Sequence, residues 1–128
     1  MERYLWNHKD VSSLLGKTLK RVERIKKNEL LFETSSGHQY LMCHDQSCCE
    51  SVYLEDIIGD LEDLVGHPLL MSEVVTEKSK TEDGSQTWSF YKFATIKGDV
   101  TLRWYGESNG WYSEEVDFLI VPRECKFY

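Results

Sequence analysis

The sequence has no apolar run that approaches the ~18 residues of a membrane-spanning helix. Residues 1–6 contain neither the apolar core nor the cleavage site of a signal peptide, and no asparagine begins an Asn-X-Ser/Thr glycosylation site. These absences favour a cytoplasmic protein. In that compartment the four cysteines are expected to be free thiols and not a disulfide framework.

Motifs of the common enzyme classes are also missing. The sequence has no glycine-rich phosphate loop, no HExxH motif and no recognisable Ser-His-Asp set. Acidic residues outnumber basic ones by 22 to 15, for a net charge of −7, which argues against sequence-independent binding to nucleic-acid phosphates. The 128 residues, of which 41% are hydrophobic, are enough for one globular domain, 1–128, with its own core.

The charge is unevenly distributed along the chain. Residues 1–44 carry eight basic and five acidic residues, whereas residues 45–128 carry seven basic and seventeen acidic residues. The net charges are therefore +3 and −10, and no cation interrupts the acids between 45 and 66. This pattern is typical of two solvated faces of one fold, or of an acidic docking face for a cationic partner.

One segment has the periodicity of an amphipathic helix. Its apolar stripe consists of Leu54, Ile57, Ile58, Leu61, Leu64 and Val65. Ser47 and Glu50 have the spacing of a capping box, and Pro68 lies just beyond the last apolar position. We therefore predict one main helix over about 48–65, which Gly59 weakens in its middle.

The rest of the chain consists mostly of short alternating segments. A short helix is expected over 10–16. Residues 17–27 are ambiguous, with a strand over 18–27 favoured and one long helix over 10–27 as the alternative. Further strands are predicted at 30–34, 39–43, 69–77, 87–97, 100–105 and 111–121, with a polar loop at 78–86 and a short tail at 123–128. The predicted class is α+β, a mainly antiparallel sheet of about six to seven strands packed with the main helix.

Three of the four cysteines fall within 38–50. Cys43, His44, Cys48 and Cys49 offer sulfur and nitrogen donors to a metal, but adjacent residues rarely converge on one tetrahedral ion. A structural interpretation, with small buried cysteines and a hydrogen-bonded His44, is therefore preferred. A nucleophile at Cys48 or Cys49 with His44 as its base is a third hypothesis, although no catalytic signature surrounds these residues.

Nine of the sixteen aromatic residues fall within 88–118. Trp88 and Phe90 share one face of the strand predicted at 87–97, which Lys92 interrupts, and Tyr91 lies on the other face. One face must be core, and the other is available for an interaction or for cross-strand pairing alone. The candidate binding residues of this region are Tyr91, Arg103, Tyr105, Asn109 and Trp111. Arginine and aromatics together are also compatible with a planar ligand.

Two runs carry a family resemblance. The run 43–66, CHDQSCCESVYLEDIIGDLEDLVG, and the later runs WSFYKFATIKG and VTLRWYGESNG resemble a small uncharacterised domain family common in phages and prophages. That family carries H-x-Q-x-C-C-E-x-V followed by D-I-x-G-D-L-x-D-L, and the resemblance covers about residues 15–120. It implies a mobile-element origin and expression inside a bacterium. It implies no activity and no catalytic residue.

We expect a non-enzymatic interaction protein that inhibits a host defence system, such as a CRISPR nuclease, by binding a host protein with a basic surface. The expected helical contact residues are Glu55, Asp56, Asp60, Glu62 and Asp63. No cofactor, membrane contact or direct nucleic-acid contact is expected, and a homodimer is left open. The alternative is a nucleotide- or metal-binding domain that uses the Cys/His loop and the hairpin around Arg103.

Overall fold

In the computed structural model, which describes residues 2–128, the chain forms eight strands and four short 3-10 turns. The strands are β1 (Leu19–Lys26), β2 (Glu29–Thr34), β3 (Gln39–Cys43), β4 (Ser51–Ile58), β5 (Met71–Thr81), β6 (Gly84–Thr95), β7 (Gly98–Ser108) and β8 (Asp117–Ile120). The 3-10 turns are Arg3–Leu5, Val11–Leu14, Leu61–Leu64 and Arg123–Cys125. The strands form a first sheet in the order β1-β2-β3-β8 and a second in the order β4-β7-β6-β5. All pairings within the sheets are antiparallel.

The main core lies between the inner faces of the two sheets. Phe32 of the first sheet packs against Phe93 of the second, with ring centroids 5.4 Å apart, and Trp104 of β7 is buried in the same cluster. Alternating residues of each central strand supply this layer, as expected for two packed antiparallel sheets.

The outer face of the first sheet is covered by both ends of the described chain. Trp6 and Phe127 join a second apolar cluster there with Leu31, Leu41 and Leu119. The buried amide of Gln39 holds the later segment through its backbone, since Nε2 donates to the Phe127 carbonyl at 2.6 Å and Oε1 accepts from its N–H at 2.7 Å.

The main helix over about 48–65 and the α+β class are wrong. Among residues 2–128 no helical segment exceeds four residues, and almost all regular structure is sheet. Residues Ser51–Ile58 form β4, which pairs with β7, and Leu61–Leu64 is a single 3-10 turn. The Ser47–Glu50 contact exists, but it closes a turn that enters a strand and not a helix.

A bulge explains the misleading helical period. The register of β4 shifts between Leu54 and Asp56, so the alternation that buries Val52 and Leu54 resumes one residue out of phase at Ile57. Gly59, with φ +114°, then ends the strand. Together, the strand, its bulge and the following 3-10 turn place the apolar residues three and four positions apart, which is the spacing typical of a helix.

Several boundaries also change. The strand favoured at 18–27 is confirmed by β1, and the long helix over 10–27 is wrong. The helix expected over 10–16 is the 3-10 turn Val11–Leu14, in which the Asp10 carboxylate accepts from the Ser12 N–H. The tail at 123–128 begins with a further 3-10 turn.

The polar segment 78–86 is not a loop over most of its length. Strands β5 and β6 continue into it and leave only Glu82–Asp83 as the turn. Polar side chains are compatible with a strand here, because this end of the hairpin is exposed to solvent. The strand expected over 111–121 is limited to β8. It pairs with β3 in the first sheet, so residues 109–116 are a crossing loop and not part of a meander.

Candidate interaction surface

The second sheet has one face toward the core and one face away from it. On β6 and β7, Tyr91 and Trp104 are buried, whereas their neighbours Trp88 and Tyr105 are partly exposed. The outward residues Tyr53, Trp88, Phe90 and Tyr105 are called the aromatic face here. Strand alternation places all four on one side of the sheet.

The four rings form a continuous row across three strands. Trp88 and Tyr105 are directly opposite each other, with centroids 4.7 Å apart, and Tyr105 lies 5.7 Å from Tyr53 on β4. Phe90 continues the row at 6.4 Å from Trp88. These separations are those of favourable aromatic pairs, which means that the rings fix one another in place.

Arg103 lies at the centre of this surface but is already paired. Its Nε donates to Glu55 Oε2, its Nη2 lies 3.5 Å from Asp56 Oδ2, and its Cζ lies 6.0 Å from the Trp88 ring centroid. The hydrogen bond to Glu55, and then the charge of both carboxylates, raise the pKa of Arg103. The guanidinium is therefore engaged by its own chain and is not a free site for an anionic ligand.

The Tyr105 ring is oriented through its hydroxyl group. The hydroxyl oxygen lies 3.0 Å from Glu107 Oε2 and 3.1 Å from Gln86 Oε1, and both atoms are acceptors. Partial burial, and then the bond to Glu107, raise the pKa of Tyr105, so the phenol keeps its donor proton.

Carboxylates surround the row of rings. The acidic rim is defined here as Glu55, Asp56, Glu73, Glu77 and Glu107. In the strand register Glu77 is opposite Trp88, and Val75, which is 44% exposed, is opposite Phe90. The aromatic face therefore has an apolar centre and an anionic edge.

The five predicted acidic residues are divided between two places. Glu55 and Asp56 belong to the acidic rim. Asp60, Glu62 and Asp63 lie beyond Gly59 around the 3-10 turn, where Asp60 Oδ1 accepts from the Glu62 N–H at 3.0 Å. The Asp63 carbonyl accepts from the hydroxyl of Thr95. The single acidic helix face is consequently replaced by two smaller groups of carboxylates.

The predicted aromatic contacts are divided in the same way. Tyr105 lies on the aromatic face, but Tyr91 is buried in the core, where burial raises its pKa. It is therefore not part of the aromatic face, because the inward face of β6 carries Tyr91 and the outward face carries Trp88. Trp111 is 88% exposed, but it belongs to the 109–116 loop, in which Asn109 Oδ1 accepts from its N–H at 2.9 Å.

Glu114 fastens this loop to the inward side of the β5–β6 hairpin. Its carboxylate accepts from the hydroxyls of Ser108, Ser85 and Thr87. Burial alone would raise the pKa of Glu114, but these three hydrogen bonds outweigh it and hold the pKa below its ordinary value.

Sequence reasoning missed Tyr53, Trp88 and Phe90 as surface residues. A usable signal was Lys92, which shares the face of Trp88 and Phe90 and is exposed. A lysine in the middle of an alternating face marks the solvent side more reliably than the size of its aromatic neighbours does.

The Cys/His loop between β3 and β4 is organised around Glu50. This carboxylate accepts from the N–H groups of Ser47 and Cys48, each at 2.9 Å, and from His44 Nε2 at 2.8 Å. The backbone bonds from Cys48 and Ser47 are the main cause of its low pKa, about 2. His44 Nδ1 lies 2.7 Å from the Glu115 carbonyl, so both ring nitrogens face acceptors.

The cysteines of this loop do not converge on a metal. Cys48 and Cys49 are exposed and their Sγ atoms are bonded to each other, which corrects the expectation that all four cysteines are free thiols. Cys43 is a buried free thiol whose pKa burial raises to about 12. Within residues 2–128 no group of three or more His, Cys, Asp or Glu side chains is placed to hold a metal ion.

Fold and surface together define an all-β protein of two packed antiparallel sheets with an aromatic outer face. No helix within residues 2–128 is long and apolar enough to cross a membrane. A family model described as a domain of unknown function, DUF7448, matches residues 12–118, and the chain belongs to that family. This confirms membership of an uncharacterised family. No curated protein and no solved structure matches the chain significantly.

Proposed function

We propose that the aromatic face is the docking surface for a protein partner and that the chain acts by binding rather than by catalysis. The observation that supports this most directly is an outward sheet surface with four aromatic rings at its centre and five carboxylates at its edge. Tyrosine and tryptophan are enriched among the residues that dominate binding energy at protein interfaces.

The four rings of the aromatic face are already held in position in the free protein. The opposite side of the same sheet already supplies the core, so the aromatic face is not needed to close it. Burial of the exposed ring surface favours association by roughly 25 cal/mol per Å². Because mutual packing and the hydrogen bonds of Tyr105 already restrict the rings, little side-chain entropy is lost on docking.

The acidic rim indicates the charge of the partner. Arg103 is paired with Glu55 and Asp56, and Lys92 is opposite Glu73, so two cations face the five carboxylates of the rim and the surrounding potential remains negative. Carboxylates at the edge of an interface mainly raise the association rate with a basic surface, and salt screens this effect over about 8–10 Å. The partner is therefore a protein with a basic patch around an apolar contact.

We extend the proposal to a partner within a bacterial defence system, such as a nuclease with a basic nucleic-acid channel, in the cytoplasm of a cell that carries a phage or prophage. Two observations support this extension. The runs at 43–66 and 88–110 resemble phage domains, and a carboxylate-rich surface presents the same charge sign as a nucleic acid.

The test compares two tryptophans of the same chain. The full chain is used to capture partners from lysate of a bacterium with an active defence system, and the dissociation constant of the purified partner is then measured. Trp88→Ala should weaken binding by tenfold or more, because a central aromatic contact is worth about 2 kcal/mol. Trp111→Ala removes an even more exposed ring outside the aromatic face and should leave the dissociation constant within twofold.

A charge pair completes the design. Glu77→Lys in the acidic rim should slow association at low salt, whereas Glu124→Lys, near the opposite face of the fold, should not. The extension to defence is tested by plating a phage that the defence system restricts, with and without the chain. Equal binding by Trp88→Ala and the unmodified chain would refute the docking surface, and unchanged plaque counts would refute the defence role alone.

A further inference from the structure

A cleft on the first-sheet side of the molecule is separate from the aromatic face. It has a volume of about 430 Å³ and lies between the segment after the first 3-10 turn, the β2–β3 turn and the segment after β8. Its main polar and aromatic lining residues are Trp6, Asn7, Ser36, His38, Arg123 and Lys126. This volume is within the range of small-molecule sites, roughly 300–1,000 Å³.

The lining has the opposite charge to the chain as a whole. Arg123 and Lys126 line the cleft together with His38, and no carboxylate does, although the chain carries a net charge of −7. Within residues 2–128 neither Arg123 nor Lys126 forms a salt bridge, whereas Arg3, Arg21 and Arg103 all do. The cleft therefore concentrates cations that the rest of the chain has not neutralised.

The floor of the cleft is apolar, and the ring of Trp6 forms part of it. Trp6 is 6% exposed, and its indole Nε1 is buried without a hydrogen-bond partner. Ile120, Val121 and Pro122 supply further apolar surface. Because Nε1 has almost no accessible surface, Trp6 offers a ligand its apolar ring and not a hydrogen bond.

Lys126 is held in position by its neighbour. The backbone of Phe127 is bonded to the Gln39 amide on both sides and also accepts from Arg21 Nη2 at 2.9 Å. The Lys126 ammonium approaches the β2–β3 turn, 3.4 Å from the position that a Cβ on Gly37 would occupy. The backbone that carries Lys126 is thus anchored beside the turn by the hydrogen bonds of Phe127.

We propose that this cleft binds a small organic anion with a flat apolar body and one phosphate or carboxylate group. The anionic group lies between Lys126 and Arg123, where charge-assisted hydrogen bonds are strongest, and the flat body rests on the apolar floor beside Trp6. Trp6, Arg123 and Lys126 lie outside the residues 12–118 that match the family, so the family match does not bear on this site. The proposal is independent of the docking function.

The indole resonances offer a direct test. The four tryptophans give separate indole N–H signals in a ¹⁵N-correlation spectrum, and Trp6→Phe identifies the signal of Trp6. The full chain is titrated with phenyl phosphate, benzoate, inorganic phosphate and benzyl alcohol. Saturable movement of the Trp6 signal with phenyl phosphate or benzoate is expected, and which of the two binds more tightly identifies the anionic group.

Variants separate the site from general charge effects. Arg123→Gln combined with Lys126→Gln should weaken binding by tenfold or more, and Lys27→Gln combined with Lys97→Gln, which removes two exposed cations elsewhere, should not. The dispersion of the spectrum reports whether each variant is folded. The proposal fails if neither aryl anion moves the Trp6 signal saturably, if inorganic phosphate or benzyl alcohol binds equally well, or if the two double variants behave alike.

Discussion

Gly59 provides the sharpest test of the corrected fold. It lies where the helix was expected and joins β4 to the 3-10 turn with φ +114°, outside the ordinary left-handed region. A Cβ at this position would be 2.5 Å from the Asp99 carbonyl oxygen and 3.2 Å from Val100 Cα. Both are backbone atoms of β7, which cannot move without disturbing the second sheet.

The expected cost of Gly59→Ala combines two effects. A strained backbone conformation at a non-glycine residue costs about 1–3 kcal/mol, and the overlap with the Asp99 carbonyl adds to it. The lower entropy of alanine in the unfolded chain returns about 0.4–1 kcal/mol. We expect a loss of about 3 kcal/mol in the free energy of unfolding, which leaves a domain of ordinary stability folded.

Gly66→Ala is the matched control. Gly66 also has a positive φ, +89°, but no atom lies within 4 Å of its Cβ position, so only the conformational cost of about 1 kcal/mol applies. Urea unfolding with a slope of about 2 kcal/mol per molar should lower the midpoint by about 1.5 M for Gly59→Ala and about 0.5 M for Gly66→Ala. Equal shifts, or a gain in stability at Gly59 as a helix interior would give, would refute the strand and its packing on β7.

Three further outcomes are expected. The pKa of Glu50 is depressed from 4.5 to about 2, so its contribution to stability is present above pH 4.5 and is lost as the pH falls toward 2. Glu50→Gln should therefore flatten the acid unfolding curve between these pH values. An unchanged curve would contradict the stabilising role of this carboxylate. After reduction, iodoacetamide at pH 8 should label the exposed pair 48–49 in the folded protein but not Cys43, whose thiol is buried, as peptide mass analysis will show. Glu114→Ala should accelerate hydrogen exchange throughout its loop, whereas Glu115→Ala should not, and equal effects would refute the hydroxyl clamp.

The β-rich part of the fold was predictable because its signals are local. Gly16, the turn at 28–29 and the turn at 35–37 indicated the limits of strands that the structure contains as β1, β2 and β3, although the apolar spacing within 18–27 was itself ambiguous. Sheet order was not predictable, since residues 109–116 carry the chain from the second sheet to the first without a local signal.

The candidate surface was only partly predictable. Arg103, Tyr105, Glu55 and Asp56 were identified from residue type and do lie together. The sequence did not show which face of β6 is exposed to solvent. Trp88 and Tyr91 lie on opposite faces of this strand, so the opposite choice of face places Tyr91 at the surface and Trp88 in the core. The bulge after Leu54 was invisible to periodicity, because it produces the apolar spacing of a helix from a strand.

The covering of the first sheet by residues near Trp6 and Phe127 has a practical consequence. Both segments lie on the outer face of that sheet, and the aromatic face is on the outer side of the other sheet. A surface anchor or fluorescent label attached near either segment therefore faces away from the aromatic rings. Immobilisation in that orientation leaves the proposed docking surface open to solvent. It also crowds the cationic cleft beside Lys126, so measurements on the cleft require attachment at the opposite side of the molecule.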